Sequence, residues 1–112
     1  MKAKRPWGNW EVVNQRKGFK VKTIEVLPLK RLSLQKHKQR IEHWVILEGE
    51  AKVTNKDKVT ILSKDQFISI EKDAVHRLEN CRNKTLKVLE IQIGSYLEED
   101  DIERLEDDYG RT

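Results

Sequence analysis

The segment LQKHKQRIEHW, residues 34–44, decides the fold, because it brings two of the three histidines of this 112-residue chain close to a glutamate. If LQKH ends a β-strand, Gln35 and His37 point to one face, since side chains alternate along a strand. A turn then places Glu42 where it can approach both, and His76 is available as a fourth ligand. Two imidazoles suit Zn, Fe, Ni or Cu, and the oxygen ligands extend the choice to Mn or Co. Core histidines satisfied by hydrogen bonds are the structural alternative.

Short runs of alternating or β-branched residues continue on both sides of this segment. They include WEVV, FKVKTIEV, VTILS, VHRLEN and LKVLEIQI, and the residues NKDK form a turn between two β-like runs. Strands of about four to eight residues at such regular spacing are typical of an all-β sandwich or barrel. We therefore predict one domain over residues 1–112.

The two ends of the chain are predicted to differ from this pattern. Residues 1–18 are expected to form an N-terminal arm whose aromatic motif, RPWGNW, packs on the domain or on a neighbour. An apolar stripe at i, i+3 and i+7 begins at Ile102, acidic residues precede it and Gly110 follows it. This pattern predicts a short C-terminal α-helix over residues 98–110.

Composition narrows the classes of function. Charged residues make up 38% of the chain and apolar residues 37%, which fits a globular domain. The single cysteine, Cys81, cannot form an intrachain disulfide, no signal peptide or membrane span is recognisable, and a cytoplasmic location is expected. Residues 1–41 contain twelve Lys and Arg but only two acids, whereas the C-terminal tail is acidic. No nucleic-acid-binding motif accompanies this charge, so neither nucleic acid nor membrane is expected as a partner.

The spacing of the metal-type residues resembles the cupin superfamily. The first cupin motif has two ligands two residues apart, a Glu five residues later and a Gly seven beyond it, which Gln35, His37, Glu42 and Gly49 match. The second motif ends in a His followed four residues later by an Asn, as His76 is by Asn80. Its usual Pro and Gly are replaced by Glu71 and Asp73. The resemblance implies a double-stranded β-helix, or jelly-roll, barrel.

A narrower resemblance covers nearly the whole chain. The runs RPWGNWEVV, LSLQKHKQRIEHW and GSYLEEDDIERLEDDYGRT are similar to the C-terminal cupin domain of type II mannose-6-phosphate isomerases. In that family the domain usually follows a mannose-1-phosphate guanylyltransferase domain, whose Gly-rich nucleotide-binding segment is absent here. The family commonly has HHHRAEHW where this chain has HKQRIEHW, so Lys38 and Gln39 replace histidines. The Gln–His–Glu–His set also resembles the zinc ligands of type I phosphomannose isomerases, which makes zinc the first expectation.

The resemblance suggests roles for further polar residues. On LKVLEIQI, Glu90 and Gln92 share a face with two apolar residues, so Glu90 either enters the metal cavity as a general base or lies on an exposed edge. Arg40 is expected in the turn at the barrel mouth as a phosphate or catalytic contact, and Lys38, Arg40 and Gln92 as substrate-binding residues. His43 should face away from the metal. Lys20 and Lys22 are expected to be solvated strand residues.

By resemblance, the chain is expected to interconvert mannose 6-phosphate and fructose 6-phosphate through a cis-enediol, using a divalent metal and a phosphorylated hexose substrate. The first alternative is a non-catalytic sugar-phosphate-binding or dimerisation module, which the replacements at Lys38 and Gln39 favour. The second is another metal cupin, such as an Fe(II) oxygenase, which Gln35 fits less well. A homodimer is expected, since exposed β-edges invite pairing and the aromatic arm offers apolar surface.

Overall fold

A computed structural model describes residues 1–110 of the protein. Within this range the chain forms eleven β-strands: β1 (Lys2–Arg5), β2 (Gly8–Arg16), β3 (Phe19–Val26), β4 (Leu34–Lys36), β5 (Arg40–Glu48), β6 (Glu50–Asn55), β7 (Lys58–Ser63), β8 (Phe67–Ile70), β9 (His76–Glu79), β10 (Leu86–Gly94) and β11 (Glu103–Glu106). The strands form a six-stranded sheet in the order β1-β2-β3-β10-β5-β8 and a five-stranded sheet in the order β11-β4-β9-β6-β7. The all-β prediction is confirmed, although the two sheets face each other without joining into a closed barrel.

The interior between the sheets is apolar at one end and polar at the other. On the six-stranded sheet, Ile24 of β3, Val88 of β10 and Ile46 of β5 are paired side by side and buried. Toward the other end, the same strands place a second set of buried side chains in neighbouring registers: Lys20, Lys22, Glu42, Trp44, Glu90 and Gln92. Because β3 and β5 both run antiparallel to β10, the polar residues of all three strands meet at one end.

Two turns depend on unusual backbone angles. Gly49 joins β5 to β6 with a φ of +89°, and a Cβ there would lie 3.1 Å from the carbonyl oxygen of Thr85. This explains the glycine of the first cupin motif, because a side chain would be strained and crowded. The turn before His76 has Asp73 in the left-handed region, with a φ of 60°. Asp73 thus adopts the conformation that a glycine would take more easily at this position.

The C-terminal α-helix predicted over residues 98–110 is wrong. This segment contains turns and β11, which pairs antiparallel with β4. Its acids are used in tertiary contacts instead: Glu99 with Lys22, Glu106 with Arg77, and Asp108 with Arg31. These ion pairs, together with the ladder to β4, override the local helical periodicity.

The predicted N-terminal arm over residues 1–18 packs on the domain, one of the two alternatives given above, and it does so as part of a sheet. Residues 2–16 form β1 and β2, which extend the six-stranded sheet. Trp7 and Trp10 are 5% and 8% exposed and belong to the domain's own core. Their aromatic surface is therefore not available to a second chain. Within residues 1–110, no helix is long and apolar enough to cross a lipid bilayer.

Candidate metal centre

Glu42 lies at the centre of the polar end of the interior. Its Oε2 atom is 3.0 Å from Nε2 of His37, and its Oε1 atom is 4.0 Å from Nε2 of His76. The two imidazole rings lie 5.0 Å apart between centroids, and one potential ligand atom from each of the three residues lies within 4.8 Å of the others. The structure thus brings together three of the four ligands expected from the sequence.

The strands explain why these side chains converge. Glu42 points inward from β5, while His43 points outward and contacts Ser69 with its Nδ1 atom at 2.8 Å from the hydroxyl oxygen. His76 begins β9 directly opposite Gln35 of β4, so these two residues are cross-strand neighbours. Gln35 lines the same cavity, but its Nε2 atom donates to Oγ of Ser33 at 3.0 Å. The expected outward direction of His43 is confirmed.

Hydrogen bonds fix both histidines in the form that a metal requires. Nδ1 of His37 lies 2.9 Å from the carbonyl oxygen of Asp101, and Nδ1 of His76 lies 2.9 Å from that of Ala74. A carbonyl oxygen can only accept, so Nδ1 carries the proton and the Nε2 lone pair faces Glu42. Burial lowers the pKa of both histidines, and Arg40 lowers that of His37 further. Neutral imidazoles, each held by a backbone carbonyl at the far nitrogen, are typical of protein metal ligands.

The donor set therefore fits a divalent cation. In this tautomer Nε2 of His37 and Oε2 of Glu42 are both acceptors, yet they lie 3.0 Å apart. Such an approach is favourable only when positive charge lies beside both atoms, and in this structure the guanidinium group of Arg40 supplies it. Two imidazole nitrogens and a carboxylate suit zinc and other first-row metals, and Gln35, which pairs with His76 and lines the same cavity, is a candidate for a fourth ligand.

Arg40 supplies positive charge at this point. Its Nε atom donates to Oε2 of Glu42 at 2.9 Å, and Nη2 lies 3.4 Å from Nε2 of His37. Burial acts to lower the pKa of Arg40, but the carboxylates of Glu42 and Glu90 raise it overall. Arg40 is 3% exposed, so it lies inside the domain. The sequence had predicted a position in a turn at the barrel mouth, and that prediction is wrong. Its contacts make it a structural partner of Glu42.

Glu90 enters the same cavity from β10, which is one of the two positions that the sequence left open. Its Oε1 atom accepts a hydrogen bond from Nε1 of Trp44 at 3.2 Å, and its Oε2 atom accepts one from Nε2 of Gln92 at 3.0 Å. The same N–H group of Trp44 also donates a hydrogen bond to Oε1 of Glu42, at 3.0 Å. Burial raises the pKa of Glu90, and repulsion from Glu42 raises it further. A carboxyl group with a raised pKa is suited to exchange protons near neutral pH.

Two buried lysines are functional candidates that the sequence reasoning missed. Lys20 and Lys22 are 6% and 3% exposed and point into the interior from β3. Lys22 lies 4.0 Å from the centre of the Trp10 ring and pairs in register with Glu90. The sequence did indicate that both lysines point inward, because they share the strand parity of Ile24 and Val26, which are core residues. Charge alone had suggested solvent exposure.

The segment of residues 95–102, here called the C-terminal strap, closes the polar end. The Nζ atom of Lys20 donates to the carbonyl oxygen of Leu97 at 2.5 Å, and that of Lys22 contacts Glu99 at 2.6 Å. The carbonyl oxygen of Asp101 contacts His37, as described above, and its carboxylate accepts from the backbone N–H of Gln39 at 2.9 Å. The strap is thus held by residues of the candidate site itself.

The cavity has a volume of about 80 Å³. This is enough for a metal ion with a few waters but is well below the roughly 300 Å³ or more of typical ligand pockets. Lys22 and Glu99 both line it, so separating this ion pair would enlarge it. Lys38, an expected substrate contact, is exposed and lies outside the wall of the cavity. Gln92 is fully buried behind Glu90, and its Oε1 atom has no hydrogen-bond partner among the described residues.

Comparison with known proteins identifies the family. The sequence matches the family described as mannose-6-phosphate isomerase C-terminal over residues 1–107. It is 51% identical over 108 residues to the alginate biosynthesis protein AlgA of Pseudomonas aeruginosa, covering 96% of this chain and 22% of that protein. It is 44% identical to the mannose-1-phosphate guanylyltransferase ManC of Salmonella typhimurium, covering 96% and 22%. The chain therefore spans less than a quarter of the length of these two relatives.

Solved structures at much lower sequence identity have the same fold. KdgF from a Halomonas species has a TM-score of 0.75 at 11% identity, covering 82% of this chain and 84% of that chain. The cupin domain of Cnp3 from Schizosaccharomyces pombe has a TM-score of 0.74 at 14% identity, covering 77% and 64%. At this identity the similarity establishes the fold alone. This chain therefore has the cupin fold, and its match over residues 1–107 shows that it belongs to the mannose-6-phosphate isomerase C-terminal family.

Proposed function

We propose that this domain is a metal-dependent isomerase that interconverts mannose 6-phosphate and fructose 6-phosphate. The observation that carries the proposal is the position of Glu90, a buried carboxyl group with a raised pKa, in the same cavity as His37, Glu42 and His76. An aldose–ketose isomerase needs such a pair of features: a proton carrier, and a separate group that stabilises charge on the substrate oxygens.

In the proposed reaction Glu90 moves the proton between the two carbons. As a carboxylate it takes the proton from C2 of the open-chain aldose, and as a carboxylic acid it returns a proton to C1, while the proton on O2 is lost and one is gained on O1. Trp44 and Gln92 hold the Glu90 carboxyl through the two hydrogen bonds described above. A divalent metal held by His37, Glu42 and His76 would polarise the substrate oxygens and stabilise their negative charge.

Lys22 is the best candidate for the substrate phosphate. Its ammonium group faces the cavity and is paired with the Glu99 carboxylate, which carries the same sign of charge as a phosphate. A phosphate that replaced Glu99 would keep the lysine charge neutralised while the C-terminal strap moved away. This assignment replaces Lys38 and Arg40, because Lys38 lies outside the cavity wall and Arg40 is bound to Glu42.

A coupled isomerase assay on the metal-free chain, and on the chain supplied with Zn, Mn, Co, Ni or Fe, tests the proposal. We expect activity with at least one metal, and a decrease of about 10²- to 10⁴-fold in Glu90→Gln at unchanged metal content. Glu48→Gln is the matched control, because Glu48 is an exposed carboxylate paired with Lys87 at 3.5 Å. Absence of isomerisation with every metal would refute the proposal.

A non-catalytic sugar-phosphate-binding module is the second candidate function. The replacement of two histidines of the family by Lys38 and Gln39 favours it, because an imidazole that could assist proton transfer is missing at each position. Such a module would bind mannose 6-phosphate, detectable by calorimetry, without converting it in any metal-loaded form. The same preparation therefore separates the two functions.

A further inference from the structure

Three consecutive residues of the C-terminal strap each direct an oxygen atom to a different buried cation. The contacts join the carbonyl oxygen of Leu97 to Nζ of Lys20 at 2.5 Å, that of Glu98 to Nη1 of Arg40 at 3.4 Å, and Oε2 of Glu99 to Nζ of Lys22 at 2.6 Å. In all three contacts the strap is the acceptor. A phosphate group offers the same arrangement, because its oxygens are grouped closely and bind lysine and arginine donors.

Lys20 has less compensating charge than its neighbour. Lys22 is paired with the carboxylate of Glu99, whereas Lys20 forms no ion pair within the described part of the chain and donates to the backbone carbonyl of Leu97. Burial lowers the pKa of Lys20, and the positive charge of Lys22 lowers it further. A lysine is rarely buried in this way without a charged partner. Two of the three ammonium donors of Lys20 are therefore available to an anion.

The two lysines are placed so that one anion can contact both. Lys20 and Lys22 are two residues apart on β3, so their side chains leave the same face of the strand at Cα atoms roughly 7 Å apart. Two charge-assisted hydrogen bonds of about 2.8 Å, with a phosphate group between them, span a similar distance.

The strap can leave the lysines without breaking a sheet. Residues 95–102 contain no strand. Among the described residues, their backbone makes one hydrogen bond to another backbone group, from the N–H of Asp101 to the carbonyl of Glu98 at 3.3 Å, which lies inside the strap. Side chains of the candidate site hold the strap instead, and the buried Leu97 adds an apolar contact. Displacement of the strap from β3 thus costs side-chain contacts only.

We propose that Lys20 and Lys22 together form a binding site for a phosphomonoester dianion, which the strap occupies as an internal competitor. This inference rests on the proposed function, in which Lys22 contacts the substrate phosphate. It adds Lys20 as the second cation and Glu99 as the residue that sets the affinity. A dianion can neutralise both lysines, whereas Glu99 carries one charge, and a neutral hexose brings no replacement for Glu99. The site therefore selects phosphorylated sugars.

Calorimetric titration of inorganic phosphate into the chelator-treated chain, with no metal present, tests the site. Lys20→Met and Lys22→Met should each weaken binding by about tenfold or more, since each removes a charge-assisted hydrogen bond. Lys58→Met is the control for lost positive charge, because Lys58 is exposed on β7 of the other sheet. Glu99→Gln should instead tighten binding by about threefold or more, because the internal competitor loses its charge.

Glu98→Gln separates the effect of the ion pair from that of net charge. It removes the same charge from the adjacent residue, whose exposed side chain forms no ion pair among the described residues. Screening by salt should keep its effect on phosphate affinity below about twofold. In nuclear magnetic resonance spectra, the backbone amide shifts caused by phosphate should be concentrated in β3 and the strap.

The outcomes are distinct. Tighter binding in Glu99→Gln but not in Glu98→Gln, with weaker binding in both lysine variants, supports the proposal. Equal affinities in Glu99→Gln and Glu98→Gln overturn it, as do unchanged binding in Lys20→Met and the absence of phosphate binding in Glu99→Gln. Glu99 is partly exposed, so Glu99→Gln keeps the fold and decides the question where a buried-lysine variant unfolds.

Failure of this inference is distinguishable from failure of the proposed function. Isomerisation is not measured in the titration. A wild-type chain that has these affinities but is inactive with every metal refutes the proposed function alone. An active chain whose phosphate affinity does not depend on Lys20 and Glu99 refutes this inference alone.

Discussion

Asn80 is expected to be one of the most sensitive positions for stability outside the metal centre. It is 2% exposed, and its Nδ2 atom donates to the carbonyl oxygens of Lys84 at 2.7 Å, Val26 at 2.9 Å and Leu27 at 3.3 Å. Its Oδ1 atom accepts from the backbone N–H of Arg82 at 3.0 Å. One side chain thus ties the end of β3 to the loop between β9 and β10.

The magnitude follows from the groups left without partners. Asn80→Ala removes three short hydrogen bonds, each with a net contribution of roughly 1 kcal/mol, and a longer contact to Leu27 that shares one of the two amide N–H groups and adds little. We expect the free energy of unfolding to fall by about 3 kcal/mol. At about 4 °C per kcal/mol for a domain of this size, Tm should fall by roughly 12 °C.

Asn80→Asp separates charge from shape. It keeps the volume of the side chain but points a carboxylate oxygen at three carbonyl oxygens in a buried site, so it should destabilise at neutral pH at least as much as Asn80→Ala. The pKa of the introduced carboxyl should be higher in the folded than in the unfolded chain. The folded state then binds the proton more tightly, and the loss of stability relative to wild type should shrink as the pH falls toward 4.

Urea and thermal unfolding followed by circular dichroism measure these effects. Asn14→Ala is the control, because Asn14 is exposed and contacts the exposed Arg16 at 2.8 Å; its effect should stay within about 0.5 kcal/mol. A change below about 1 kcal/mol for Asn80→Ala would refute the reasoning. So would an Asn80→Asp protein as stable as wild type at neutral pH.

Three further predictions concern the site and its supporting turn. His37→Ala should lower zinc affinity, measured by titration against a chelator, by at least about tenfold, whereas His43→Ala should leave it nearly unchanged, because His43 points outward; equal effects would contradict the strand parity. Lys22→Met should raise KM for mannose 6-phosphate by about tenfold or more and change kcat much less, since a phosphate contact mainly positions the substrate; an unchanged KM would place the phosphate elsewhere. Asp73→Gly should raise the free energy of unfolding by about 0.5–1 kcal/mol, because Asp73 has a φ of 60°; a lower Tm in this variant would show that the Asp side chain outweighs the backbone strain.

Much of the candidate site could be predicted from the sequence because alternation along a strand is a strict geometric rule. The inward direction of Glu42 and the outward direction of His43 follow from residue parity, and the structure agrees with both, whereas parity alone left two positions open for Glu90. Two short motifs at fixed spacing then placed His37 and His76 near the same point. Local rules were sufficient here because each depends only on neighbours in the chain.

The misses have a common physical cause, which is that tertiary pairing changed the expected state of a charged residue. Lys22 was expected in solvent, but Glu99 and the Trp10 ring stabilise its charge inside the domain. Arg40 was expected at the mouth, but Glu42 holds it in the interior. The acidic C-terminal segment has helical periodicity, yet its carboxylates bind cations on other strands, as Asp108 does with Arg31. The partners in such long-range ion pairs cannot be identified from local sequence patterns, although the parity of Lys22 with Ile24 and Val26 did indicate its inward direction.

The position of β10 between β3 and β5 determines when this domain can finish folding on the ribosome. β3 ends at Val26 and β10 begins only at Leu86, so most of the chain is synthesised before the central strand of the larger sheet exists. Until then β3 and β5 have open edges that can pair with other chains, and closing such a distant ladder is slow. Glu90 lies on that same late strand. The nascent chain therefore acquires its candidate proton carrier in the same step that completes its larger sheet, and no nascent chain that ends before β10 can hold Glu90 beside Glu42.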